Sequence, residues 1–152
     1  MKMNSVHIFV FLLFASCVTV RGFEVQHLAD ILGIPKSQYV ECVEGNDLDK
    51  PAFIRISQLL GAKELNAEDQ KLMNRFSCFL ACIFTKGKIM DEGKIQFDTI
   101  LQLADENDVP LTAEMKENLN VCIDEANKKL DNCEASLAFS TCVNDRWFRY
   151  GQ

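Results

Sequence analysis

The residues of this chain best able to do chemistry are six cysteines: Cys42, Cys78, Cys82, Cys122, Cys133 and Cys142, with 35, 3, 39, 10 and 8 residues between them. A seventh, Cys17, lies in an apolar N-terminal segment. Clustered cysteines serve either as a disulfide framework or as zinc ligands. Zinc sites draw on C-x₂-C pairs or on neighbouring histidines. No C-x₂-C pair occurs here, and of the two histidines, His7 lies in that segment and His27 is far in sequence from the six. The expectation is therefore a closed set of three disulfides, with no metal and no other cofactor. Six cysteines permit fifteen pairings, and spacing alone does not select one. Cys78 and Cys82 stand one turn apart on one face if their segment is helical. A bond between them would brace nothing, so each is expected to reach a different helix. Closing a long loop in this way contributes about 3–4 kcal/mol. Such links let a small domain tolerate an internal cavity that packing alone would penalise.

Catalytic chemistry finds few residues to work with. There is no G-x-S-x-G elbow and no H-E-x-x-H pair. Asp47-Leu48-Asp49 and Asp105-Glu106-Asn107-Asp108 are acidic, but neither completes a calcium loop. They read as solvated turns, and no enzyme activity is expected.

The elements that must position the cysteines are helices. Apolar residues at Val25, Leu28, Ala29 and Leu32 mark a first helical face, interrupted by Gly33 and Pro35 and resumed around Tyr39, Val40 and Val43, with Cys42 near its end. Asp49 can cap a short helix reaching Leu60, with Pro51 in its first turn and Phe53, Ile56 and Leu60 inward. Asn66 caps the clearest helix. Its acids Glu68 and Asp69 suit the N-terminus, and Leu72, Phe76, Phe79, Leu80, Ile83 and Phe84 form a wide stripe. Lys94 to Ala104 repeats the period with Phe97, Ile100 and Leu101. Thr112 caps a fifth helix with Met115, Leu119, Cys122, Ile123, Ala126 and Leu130 inward. A sixth begins near Glu134, and a tail after Cys142 carries Trp147, Phe148 and Tyr150. Period-two alternation is not sustained anywhere, so no sheet is expected. The fold class is all-α: six helices in a single domain with an internal apolar cavity, stapled by three disulfides.

Residues 1–22 have the pattern of a secretory signal, leaving residues 23–152 as the domain. Lys2 precedes the apolar run Ile8–Ala15, and Val20 and Gly22 occupy the −3 and −1 positions of a cleavage site. The run is shorter than the roughly 20 residues that span a bilayer. Cleavage after Gly22 removes Lys2 and Arg21, so Lys+Arg falls from 16 to 14 against 22 acids, a net charge of −8. An acidic surface repels phosphate backbones and offers no polybasic patch, so neither nucleic acid nor stable membrane insertion is expected. No N-x-S/T acceptor follows the signal.

With the helices placed, the cysteine pattern becomes informative. One cysteine closes the first helix, C-x₃-C sits on the third, one lies on the fifth, and two bracket the sixth with eight residues between. Across residues 23–152 this resembles the insect odorant-binding proteins of the pheromone-binding/general-odorant-binding superfamily, six-cysteine type, with a hymenopteran source suggested. The resemblance implies pairing of the first cysteine with the third, the second with the fifth and the fourth with the sixth, which here is Cys42–Cys82, Cys78–Cys133 and Cys122–Cys142. It further implies a secreted carrier. Such a carrier takes small hydrophobic ligands (odorants or pheromones) through sensillar lymph or another insect secretion to an olfactory receptor, as a monomer or homodimer. The alternative on the same scaffold is a gland, venom or haemolymph protein with a non-olfactory binding or signalling role.

The candidate ligand-binding residues are Phe76, Leu80, Phe84, Ile89, Met90, Phe97, Leu101, Met115, Leu119, Phe139, Trp147 and Phe148. A stripe facing a core and a stripe facing a cavity look alike in sequence. Collectively, eleven phenylalanines against two tyrosines give a wall with few polar handles, although Phe9, Phe11 and Phe14 leave with the signal. Met90 and Met115 add adaptable surface. In part of the resembled family the C-terminal segment covers or enters the cavity and releases ligand when pH falls, a role open to Trp147, Phe148 and Tyr150. Packing on the outside of the sixth helix is the other reading of these rings. With only His27 left in the mature chain, a histidine-driven switch has little to act through.

Overall fold

A computed structural model describes residues 29–60 and 62–150, with side chains as far as Arg146. The signal segment, His27, and the side chains of Trp147, Phe148 and Tyr150 lie outside the described residues. Helical turns at 29–31 end at Gly33, whose φ of +67° is a left-handed conformation suited to glycine. There follow α1 (Lys36–Gly45), α2 (Lys50–Leu59), α3 (Ala67–Lys86), a hairpin of β1 (Met90–Asp91) and β2 (Lys94–Ile95), then α4 (Phe97–Glu106), α5 (Ala113–Asn127) and α6 (Asn132–Tyr150).

The helix starts follow the capping chemistry legible in the sequence. The Asp49 carboxylate accepts from the Ala52 N–H, the Asn66 side-chain oxygen from Asp69 N–H, and the Thr112 hydroxyl from Met115 N–H. Each satisfies a backbone donor that the first helical turn leaves unpaired. The long helix α3 is central. It packs chiefly on α6 and touches α1, α2 and β1, while α5 packs along α6. Cys82 ties α3 to Cys42 on α1, Cys78 ties it to Cys133 on α6, and Cys122 ties α5 to Cys142 on α6. The two α3 cysteines thus hold two different neighbours. No disulfide reaches α2, where the Arg55 guanidinium instead forks onto the Asp69 carboxylate of α3 at 2.8 and 3.0 Å. That carboxylate, by hydrogen bond and by charge, raises the Arg55 pKa above its ordinary value.

Four features differ from the sequence expectation. A two-stranded antiparallel sheet is present where none was expected, pairing Met90 with Ile95 and Asp91 with Lys94 around Glu92 and Gly93. Both turn residues have positive φ, +47° and +76°, as the two-residue hairpin turn compatible with strand twist requires. The fourth helix consequently begins at Phe97, since Lys94 and Ile95 are in β2. Leu130, expected on the inner face of the fifth helix, is fully exposed, because that helix stops at Asn127. The segment after Cys142 is a continuation of α6 through Tyr150 and not a separate tail. Neither glycine nor proline stands between Cys133 and Tyr150 to end the helix.

Candidate ligand-binding site

Along α3 the apolar stripe feeds two aromatic groups. Phe79, fully buried, takes the edges of Tyr39 from α1 and Phe53 from α2, at centroid distances of 6.3 and 5.5 Å, and stacks with Phe76 at 6.1 Å. Phe84 meets the edge of Phe139 from α6 at 6.1 Å. Eight residues of helix, about 12 Å at 1.5 Å per residue, separate Phe76 from Phe84. The candidate residues are therefore divided between these groups. Phe76 belongs with α1 and α2, whereas Phe84 belongs with α6 and the hairpin end of the molecule.

The hairpin carries Ile89, Met90 and Ile95 into the interior, all buried. Met90 lies against α6, where the Ser136 hydroxyl is 3.9 Å from its sulfur. Asn127, the last residue of α5, fastens β2 in turn: its side-chain oxygen accepts from Ile95 N–H at 2.8 Å and its amide donates to Ile95 C=O at 3.3 Å. Those backbone groups are free for it because a two-residue turn makes Asp91 and Lys94 the hydrogen-bonded pair and leaves the N–H and C=O of Ile95 pointing away from β1. The Lys94 ammonium also donates to the Asn127 carbonyl, at 2.6 Å.

Of the twelve candidate residues, Phe76, Leu80, Phe84, Ile89, Met90, Leu119 and Phe139 are in the buried core. Phe97 and Met115 are half-buried and packed against it, and Leu101 is half-buried without joining that cluster of described residues. The side chains of Trp147 and Phe148 lie outside the described residues. Phe79 is the aromatic hub that the candidate set leaves out; its place in the middle of the stripe was the available signal. Among the described residues the polar residues buried as a whole are Ser77 and Ser136, the hydroxyl of half-buried Ser140 is also shielded from solvent, and no ionisable residue is buried. An interior of that kind solvates an uncharged apolar molecule and rejects an ion, whose burial without a partner is costly.

A surface groove contrasts with this interior. A solvent-open groove of about 660 Å³ runs between the first turns of α3, the end of α5 and the outer face of α6. Gln70, Asn74, Glu125, Lys129, Glu134 and Asp145 give it a polar rim with charges of both signs, and none of the twelve candidates lines it. No cluster of His, Cys, Asp or Glu among the described residues has the arrangement of a metal site. No described helix is long and apolar enough to cross a membrane.

Fold and interior together define a class of protein, a disulfide-clamped helical shell around an uncharged apolar core. Residues 35–146 match the model of the PBP/GOBP family, and the chain belongs to that family. It is similar to General odorant-binding protein 57c of Drosophila melanogaster, 25% identical over 114 residues that cover 74% of this chain and 72% of the relative. It is also similar to Pheromone-binding protein Gp-9 of Solenopsis sp. (strain X), 29% identical over 150 residues covering 94% and 91%. The protein of the same name from Solenopsis invicta is 28% identical over the same coverage. No solved structure matches the chain at a significant level.

Proposed function

We propose that this protein is a secreted carrier that binds small, uncharged, apolar molecules of the odorant or pheromone type in its helix-enclosed interior. The observation that carries the reading is the union of family membership with a core that has no buried ionisable side chain among the described residues. The printed names of the relatives, odorant-binding and pheromone-binding, support the ligand class. Binding rests on apolar area, at about 25 cal/mol per Å² removed from water. An affinity in the micromolar range, about −8 kcal/mol, follows for a ligand of odorant size. The residues around the Phe84–Phe139 pair, with Met90, Leu80, Leu119 and Met115, are the proposed lining. Phe97, Leu101, Trp147 and Phe148 extend it.

Secretion is proposed from residues 1–22, with the mature chain beginning at Phe23. Delivery to an olfactory receptor and function without catalysis complete the reading, and the carrier acts as a monomer or homodimer. Titration of the oxidised protein with the fluorescent apolar probe N-phenyl-1-naphthylamine tests it. Saturable one-to-one binding that competing odorants reverse is expected. Absence of saturable binding in correctly oxidised protein overturns the carrier assignment.

A further inference from the structure

The inner face of α6 carries an oxygen atom with no partner. Ser140 Oγ is buried from solvent and makes no hydrogen bond. This sets it apart from the other buried or half-buried helical serines. Ser57, Ser77 and Ser136 turn back onto their own helices, donating to the carbonyls of Ile54, Asn74 and Asn132 at 2.6, 2.7 and 2.8 Å. Satisfying a buried hydroxyl in this way is the rule, and an orphaned one calls for an explanation. Ser140 stands one turn beyond Ser136, which touches Met90, and directly follows Phe139, which touches Phe84. The unpaired hydroxyl therefore belongs to the stretch of α6 that carries the proposed lining.

We propose that Ser140 is the polar anchor of the ligand site and that the ligand is an apolar chain or ring bearing one neutral oxygen acceptor, such as an alcohol, aldehyde or ketone. This rests on the carrier reading above and narrows it. A hydrocarbon leaves the Ser140 hydroxyl unpaired, whereas an oxygenated ligand satisfies it. A carboxylate is disfavoured because no described cation is buried to meet it. The site thus selects by a single hydrogen bond within an otherwise apolar wall, the arrangement by which largely hydrophobic pockets fix orientation.

The test compares wild type with Ser140→Ala, measuring displacement of N-phenyl-1-naphthylamine by decanol, decanal and decane. The expected result is a loss of about five- to tenfold in affinity for decanol and decanal, the worth of one neutral hydrogen bond. Decane affinity is unchanged, and the melting temperature of the free protein is unchanged or higher, since the lost hydroxyl had no partner. Equal changes for all three ligands, unaltered decanol affinity, or a lowered melting temperature overturn the assignment. If the wild type binds none of the three, the carrier reading falls and this site falls with it. If it binds them and Ser140→Ala makes no difference, only the anchor falls.

Discussion

Replacing Asn127 with alanine removes the bracket that holds the hairpin, and the structure sets the size of the effect. The side chain makes two hydrogen bonds to Ile95, at 2.8 and 3.3 Å, and both are partly buried. Each contributes about 0.5–1.5 kcal/mol, and leaving the Ile95 N–H without a partner adds a desolvation cost, for a total near 2 kcal/mol. Backbone propensity offsets little, because Asn127 is the last residue of α5. Exposed Asn120 on the same helix is the control, and its replacement by alanine is expected to stay within about 0.5 kcal/mol of wild type. Urea unfolding of the three oxidised proteins measures the difference, and amide exchange at Ile95 localises it. A loss below about 0.5 kcal/mol for Asn127→Ala, with Ile95 exchange unaltered, would refute the bracket.

Other outcomes follow from the same contacts. Replacing both Cys122 and Cys142 by alanine opens a loop with a sequence separation of 20. Loop-closure entropy gives a loss of about 3 kcal/mol there, against about 4 kcal/mol for the longer Cys78–Cys133 loop, measured by denaturant unfolding. A double-mutant cycle on Phe84 and Phe139 is expected to return a coupling of about 0.5–1.5 kcal/mol for the edge-to-face pair, beyond the cavity cost of each single alanine. Gly93→Ala is expected to lose at least about 1 kcal/mol by thermal unfolding, because of its left-handed backbone. A Cβ at that position would also stand 2.6 Å from Asn132 Oδ1.

The helix α3 was almost wholly legible in the sequence. Asn66, Glu68 and Asp69 mark its start, the wide apolar stripe its inner face, and Lys86 and Gly87 its end, and these local signals agree with the tertiary packing. Disulfide connectivity was of another kind. Spacing argued against a Cys78–Cys82 bond but left the rest of the pairing open, and only the resemblance to a known family named one set. The hairpin escaped because strands of two residues are too short to show alternation. Its sole local signal is Gly93, whose two-residue turn with Glu92 becomes informative once Asn127 is known to act as a third edge for β2. Leu130 misled for a related reason. It continues the fifth helix's stripe four residues after Ala126, but periodicity does not record where Asn127 turns its side chain to the hairpin and the helix stops. Nor does a stripe distinguish packing from lining. Phe76, spent on the Phe79 cluster, and Phe84, turned to α6, look equivalent in sequence and stand in different aromatic groups.

The central claim is that an apolar ligand occupies the interior beside Met90 and leaves the polar groove on the outer face of α6 empty. Methyl-methionine NMR of the oxidised protein tests this directly, because Met90 on β1 and Met115 on α5 belong to the proposed lining while Met73, buried on α3, does not. On titration with decanol, saturable shifts at Met90 and Met115 that exceed those at Met73 are expected. Unshifted methyls, together with backbone shifts confined to groove residues such as Asn74, Thr141 and Asp145, would contradict the account.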